Sequence, residues 1–367
     1  MSLFNQLFKG KDKPIKTYDD FWSWFKTNEK LFYGVVKSKG DIHRFFFEKL
    51  GAKLAELRPG IFFLTGMDDN STVELVLTPD GWINNIYYIE ELVAAAPQLK
   101  GWQFTALKAA SDIKNTVIEM AGIKYAAANL KFYANNDALH PDNIDIVVVH
   151  DDYNDENRTT ITTGINIFLD NFLGELNFAT IIDCLTVVSK EDAPPDLIPI
   201  EKLKDYLKWR QAEFIEKYEG FRHDTEKDTH SLLEVELENG NMLFALVNTD
   251  LMNWDGKASH PWLLHVEVKY GDGIDNNGMP ETEVSELLTE FEDELGLHLK
   301  DSDGYLTLCH TTGEGERSIY FACKEFRAPA KVLDNIIPRY PDKVQIKFDV
   351  YKDKYWQTLT HFATPIF

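Results

Sequence analysis

Aromatic residues recur at near-helical intervals close to the start of the chain: Phe21, Trp22, Phe25 and Phe32. That spacing gathers them on one side of a helix. After Gly40, Asp41 is an apt N-cap, and Ile42, Phe45, Phe46, Leu50, Leu54 and Leu57 form a second helical stripe, which Pro59-Gly60 stops. Residues 61–65 and 72–77 read as strands joined across Asp68-Asp69-Asn70. A third helix carries Ile86, Ile89, Leu92, Val93 and Ala96 and ends at Pro97, which cannot continue it; 102–107 returns as a strand. Short extended segments near Val117 and Leu130 precede the apolar run Ile144 to Val149, which reads as a fully buried strand. A polar, acidic loop (151–157), a helix (161–173) and a strand (181–188) follow. Ala193-Pro194-Pro195-Asp196 is the clearest break, and a charged helix from about 200 to 218 leads to a nearly all-polar stretch, 222–229.

The second half alternates more cleanly. Leu233, Val235 and Leu237 interleave with Glu234, Glu236 and Glu238, the pattern of a half-buried strand. Asn239-Gly240 supplies the positive-φ pair of a tight hairpin, with 242–247 returning beside it. Leu264, Val266, Val268 and Tyr270 alternate with His265, Glu267 and Lys269. Beyond a Gly/Asn-rich loop, helix 282–299 carries Val284, Leu287, Leu288, Phe291 and Leu295 on one face and Glu283, Glu286, Glu290, Asp293 and Glu294 on the other. A hairpin of 305–310 and 318–323, a short helix with Pro329 in its first turn, and a strand over 344–350 complete the order.

From Trp262 onward this is β–α–β–β–α–β, which folds most simply as a split βαβ sandwich, a ferredoxin-like unit preceded by a β-hairpin. The first half repeats most of it: 41–57, 61–65, 72–77, 86–96 and 102–107 match 282–299, 305–310, 318–323, 329–337 and 344–350, without the leading strand. The likeness is either an internal duplication or the coincidence of a common order. The expected class is α+β, with antiparallel-rich sheets covered by helices. The expected division is an N-terminal domain over 1–198, a linker helix over 199–219 and a C-terminal domain over 220–367.

Charge narrows the function. Of 367 residues, 38 are Lys or Arg and 60 are Asp or Glu, a formal charge of −22. Such a surface repels a polyphosphate backbone, so direct nucleic-acid binding is not expected. With 44% hydrophobic and 13% aromatic residues the chain is no disordered acidic tail. Apolar runs fall well short of the ~20 residues that cross a bilayer, and Met1 to Lys9 lacks the pattern of a secretory signal. Cys184, Cys309 and Cys323 are widely spaced and cannot all pair, which suits a reducing cytoplasm.

No motif carries chemistry by itself. Dinucleotide, Walker and zinc-protease signatures are missing, and Gly313-Glu314-Gly315 places an acid where a phosphate would have to sit. Asp301-Ser302-Asp303-Gly304 lacks the later ligands of a calcium loop; Asp272, Asp275, Asn276 and Asn277 read as turn residues. His260 and His265 point to opposite faces, and His310 falls on the Leu306/Leu308 side, opposite Cys309. No catalytic, cofactor or metal residue is therefore expected. Two surface features remain: the acidic face at Glu283, Glu286, Glu290 and Asp293, and Trp254 in a polar turn. Trp254 either folds back as a lid over the core or presents a contact to a partner.

Several stretches together resemble a bacterial family named only as domain of unknown function 695. They are strand 230–238, Glu238-Asn239-Gly240, His260-Pro261-Trp262-Leu263-Leu264, Gly278-Met279-Pro280, Arg317-Ser318-Ile319-Tyr320-Phe321 and Tyr355-Trp356, spread over roughly residues 220–360. The resemblance implies a fold and no catalytic residues. Members sometimes occur beside a domain similar to the acidic protein regulators of ribonuclease E activity, which implies a regulatory, protein-binding role. The expectation is thus a non-enzymatic acidic module acting on a basic partner such as a nuclease. The competing expectation is a ligand-binding protein or enzyme whose pocket is assembled between the two halves.

Overall fold

Helix α1 (Tyr18–Ser38) opens with a reciprocal cap: Asp20 N donates to Thr17 Oγ1 (3.1 Å) and Thr17 N to the Asp20 carboxylate (3.0 Å). A computed structural model describes residues 14–67, 71–114, 116–271, 276–340 and 343–362. The stretches around Met1–Lys9 and Asp68-Asp69-Asn70, and the turn residues Asp272 and Asp275, lie outside them. The chain divides into two compact units, Met1–Lys108 and Ala109–Phe367.

In the first unit α1 buries Phe21, Trp22, Phe25 and Phe32. Asp41 caps the next helical segment, accepting from Arg44 N at 3.1 Å. That segment starts as a π-helical turn (His43–Phe47) and continues as α2 (Glu48–Leu57). The wider turn rotates the stripe, so Phe46, Leu50 and Leu54 are buried while Phe45, expected among them, stays 39% exposed. Strands β1 (Phe62–Met67) and β2 (Val73–Thr78) pair antiparallel; after α3 (Ile83–Ala94), β3 (Trp102–Ala106) joins β2 in parallel. Rings from α1 and from Phe46 pack edge-on against Trp102 and Phe104.

The second unit begins with the hairpin β4 (Ile118–Met120) and β5 (Ile123–Tyr125). Strands β6 (Leu130–Asn135) and β7 (Asp145–His150) follow, then helices α4 (Arg158–Leu173) and α5 (Glu175–Ile181), then β8 (Cys184–Val188) and β9 (Ile198–Pro199). Their sheet runs β8–β7–β6–β9. Residue 181, expected in a strand, closes α5 instead. Gly164 of α4 admits the ring of Tyr125, since a Cβ there would lie 2.0 Å from it. Helix α6 (Leu203–Tyr218), expected as a linker, buries Leu203 and Leu207 in the same core as Phe132, Ile146 and Phe168.

The next hairpin differs from expectation in turn type. Strands β10 (His230–Glu236) and β11 (Met242–Asn248) are joined by a longer turn in which Gly240 N bonds Leu237 O (2.9 Å) and Leu237 N bonds Asn241 O (2.8 Å). Only Gly240 has positive φ there, so the turn is not the expected two-residue pair. The short helix α7 (Thr249–Met252), β12 (Trp262–Lys269), α8 (Thr282–His298), β13 (Tyr305–Gly313) and β14 (Glu316–Cys323) come next. It is the β13–β14 hairpin that carries the positive-φ pair, Glu314 and Gly315.

After α9 (Arg327–Ile336), β15 (Gln345–Lys352) completes a six-stranded antiparallel sheet, β10–β11–β13–β14–β12–β15. Each pair of strands joined through α8 or α9 is separated by one antiparallel strand. Among the described residues of the first unit the leading strand is missing, and β3 lies directly on β2 with the same relative direction that β15 has to β14. Among the described residues only β2–β3 and β7–β8 pair in parallel, so the class is α+β with antiparallel-rich sheets. β10, expected to be half-buried, is exposed on both faces: it is an edge strand, and Leu232 and Val235 are 61% and 50% exposed.

Candidate functional site

Helix α8 is anchored through Leu288, Phe291 and Leu295, each at most 1% exposed. Its periodicity therefore turns Glu283, Glu286, Glu290 and Asp293 outward, and all four are exposed. Glu283 pairs with Lys343 at 2.7 Å, and that hydrogen bond holds its carboxyl below the usual range. Glu286, Glu290 and Asp293 have no ion-pair partner among the described residues. The other acids of the helix are used internally. Glu292 meets His310 Nδ1 (2.5 Å) and Arg317 Nη1 (2.9 Å), and Glu294 accepts from Tyr340 (2.8 Å) and pairs with Arg339.

The Glu292 contact shows which sheet face α8 covers, and it corrects the expected side of His310. A register shift between Thr307 and Cys309 breaks the alternation. Leu306, Leu308 and Cys309 all join the opposite cluster, with Leu263, Ala322, Trp356 and Leu359, while His310 turns to α8. Trp254 lies on that opposite face, partly buried. Its ring centroid is 5.1 Å from His223, 5.6 Å from His260 and 6.2 Å from Trp356. The structure thus brings the four carboxylates together and sets Trp254 apart, folded onto the core.

Contacts of Ser with His are present but are not arranged for attack. Ser259 Oγ lies 2.8 Å from His260 Nδ1, with both residues buried. Ser318 Oγ lies 3.1 Å from His265 Nε2 but donates its proton to Glu316 (3.0 Å), so the histidine is the donor there and not a base. Burial pushes the Cys309 thiol up to about 12 and raises that of Cys323, so neither is a ready thiolate. No helix among the described residues is long and apolar enough to cross a membrane.

The unforeseen site is an ionic network beside a cleft of the second unit. Asp183 accepts from Lys352 (2.8 Å) and Lys354 (2.7 Å), whose side chains are 14% and 3% exposed. Lys352 also donates to Ile181 O (2.9 Å) and Lys354 to Asp142 O (2.6 Å). Asp142 accepts from Lys217 (2.7 Å), Tyr218 (2.7 Å) and Tyr355 (2.8 Å); burial raises its carboxyl, and these three donors outweigh that and lower it. Burial brings the Lys352 ammonium down to about 8 despite Asp183. Burial, reinforced by Asp183, raises Asp145. Next to these groups, α5 and α6 face Pro261, Trp262 and the start of α9 across a cleft of about 340 Å³. Four cations line it, Lys324, Arg327, Lys352 and Lys354, against one carboxylate, Glu325. Sequence reasoning missed it because Asp183 and Lys354 stand 171 residues apart and neither belongs to a motif.

Residues 236–363 match the model of a family described as Family of unknown function (DUF695). The match takes in the six-stranded sheet, apart from most of β10, and both helices packed on it. No curated protein and no solved structure matches the chain.

Proposed function

We propose that the protein is a non-enzymatic binding or regulatory module that recognises a basic protein, for example a nuclease, through the outer face of α8. The observation that carries this reading is the set Glu286, Glu290 and Asp293: exposed on one face of a helix held by buried Phe291, and without an ion-pair partner among the described residues. Opposite charge on a partner would speed encounter and make binding weaken with salt. The free cysteines, two of them buried, support a reducing cytoplasmic setting. The order β13–β14–β12–β15 supports reading that sheet as ferredoxin-like.

The test is affinity capture from the native host at low and moderate salt. It compares the wild-type chain with a variant carrying Glu283→Gln, Glu286→Gln, Glu290→Gln and Asp293→Asn. The expected result is a basic protein retained at low salt by the wild type, and lost by the variant at an unchanged melting temperature. No protein captured at either salt, or equal capture by the variant, overturns the reading.

A further inference from the structure

The cleft beside the ionic network runs against the character of the chain. The molecule carries a formal charge of −22, yet the charged groups lining this concavity are four cations and one carboxylate. Glu325 is committed elsewhere: its oxygens accept from Tyr305 OH (2.9 Å), Arg327 N (2.7 Å) and Ala328 N (2.8 Å), capping α9. Asp183 neutralises part of the charge of Lys352 and Lys354. Lys324 is different. It donates to the Phe221 carbonyl and has no carboxylate partner among the described residues. Burial first, and then nearby Arg222, disfavours its charged form. The same positive field, from Lys324 and Arg222, bears on His260.

The rest of the lining is largely apolar, with Asn177, Thr180 and Gln211 as its uncharged polar members. Phe214 and Ile215 lie on one side, Trp262 and Phe326 on the other, with Ile144 and Leu176 adding to the lining. At about 340 Å³ the cleft falls at the low end of the volumes that hold small molecules. An apolar body with one anionic head satisfies both halves of this lining: it covers the aromatic walls and supplies the counter-charge that Lys324 lacks.

We propose that this cleft binds a small organic anion, a carboxylate or a phosphate monoester on an apolar body, with the head on Lys324 and the body against Phe214, Trp262 and Phe326. The proposal is independent of the α8 reading, since the two surfaces share no residue.

The test is titration calorimetry of the full chain with benzoate, phenyl phosphate and the uncharged benzamide, on the wild type, Lys324→Gln and Gln211→Trp. Gln211 is an exposed residue of α6 at the cleft, so a Trp there should fill the opening without disturbing the core. At least one anion should bind, benzamide should bind about tenfold or more weakly, and Lys324→Gln should cost about tenfold in affinity. Gln211→Trp should abolish binding at an unchanged melting temperature. Whichever anion binds more tightly identifies the head group. Binding by neither anion, equal binding of benzamide, or wild-type affinity in both variants overturns the proposal. Should Lys324→Gln fail to fold, Gln211→Trp decides alone.

Discussion

His260 is fully buried, bonded through Nδ1 to Ser259, tilted against the Trp254 ring, and without a hydrogen-bond partner at Nε2 among the described residues. Burial, and then the positive charges of Lys324, Arg222 and His223, push its proton affinity down to about 3. The native state therefore keeps it neutral, while the unfolded chain protonates it near its ordinary value of 6.5. Its contribution to stability is fully present above pH 6.5 and is lost as pH falls toward 3. At the linkage limit of roughly 1.4 kcal/mol per pH unit, the loss between pH 6.5 and 5 is about 2 kcal/mol. Urea unfolding at pH 7 and pH 5 checks this: His260→Phe should lose about 2 kcal/mol less than the wild type over that interval. Equal losses would show that the imidazole is accessible to protons in the native state. The His260 position was legible as a histidine beside a strand, but its isolation was not. Burial comes first, and the charged neighbours that add to it come from residues 222–223 and 324, which only folding brings near.

At the scale of elements, α8 separates packing from surface chemistry. Phe291→Ala should cost ~3–5 kcal/mol through lost burial and the cavity left behind. Neutralising the four outward acids should leave stability unchanged or slightly raised, because like charges three and four apart on a helix repel and an exposed ion pair such as Glu283–Lys343 contributes little. Chemical denaturation of the two variants distinguishes these outcomes; a large loss in the acid variant would mean that face is packed. The apolar stripe of α8 was legible because helical period is a local property. Phe45 escaped the same reading because one π-turn shifts the register. The Asn239-Gly240 hairpin escaped it because the residue pair permits, without requiring, the two-residue turn that Glu314-Gly315 forms instead.

Across the second unit, Asp183 is the counter-ion for two lysines from the far end of the chain. Asp183→Asn would leave Lys352 and Lys354 as buried cations without a full negative partner, and a change of that kind costs about 3–5 kcal/mol. Adding Lys352→Met to Asp183→Asn should recover part of the loss, since it removes one unpaired charge. Melting temperatures of the single and double variants measure this. If the double variant is no more stable than the single one, Lys352 is solvated and not dependent on Asp183. The Trp254 lid and the exposure of β10 belong to this scale too. Both follow from which element ends up beside which, not from the residues' own neighbourhoods.

The order of helices and strands in the first unit and from Trp262 onward, the faces of α1, α3 and α8, and the burial of 144–149 were determined by sequence alone, whereas α5, α7 and β9 were not. The former depend on side-chain period and on caps or breakers within a few residues. Tertiary structure alone decided the rest. β12 stands between β14 and β15, whereas β3 lies directly on β2, although the two stretches of sequence run in the same order. It also decided that Glu292 and Glu294 are spoken for while Glu286, Glu290 and Asp293 are not, and that lysines of an acidic chain converge on one cleft. Strand adjacency and ion pairing are contacts between distant segments. Their energies depend on burial and on distances of a few ångströms, and neither is encoded in the spacing of residues along the chain.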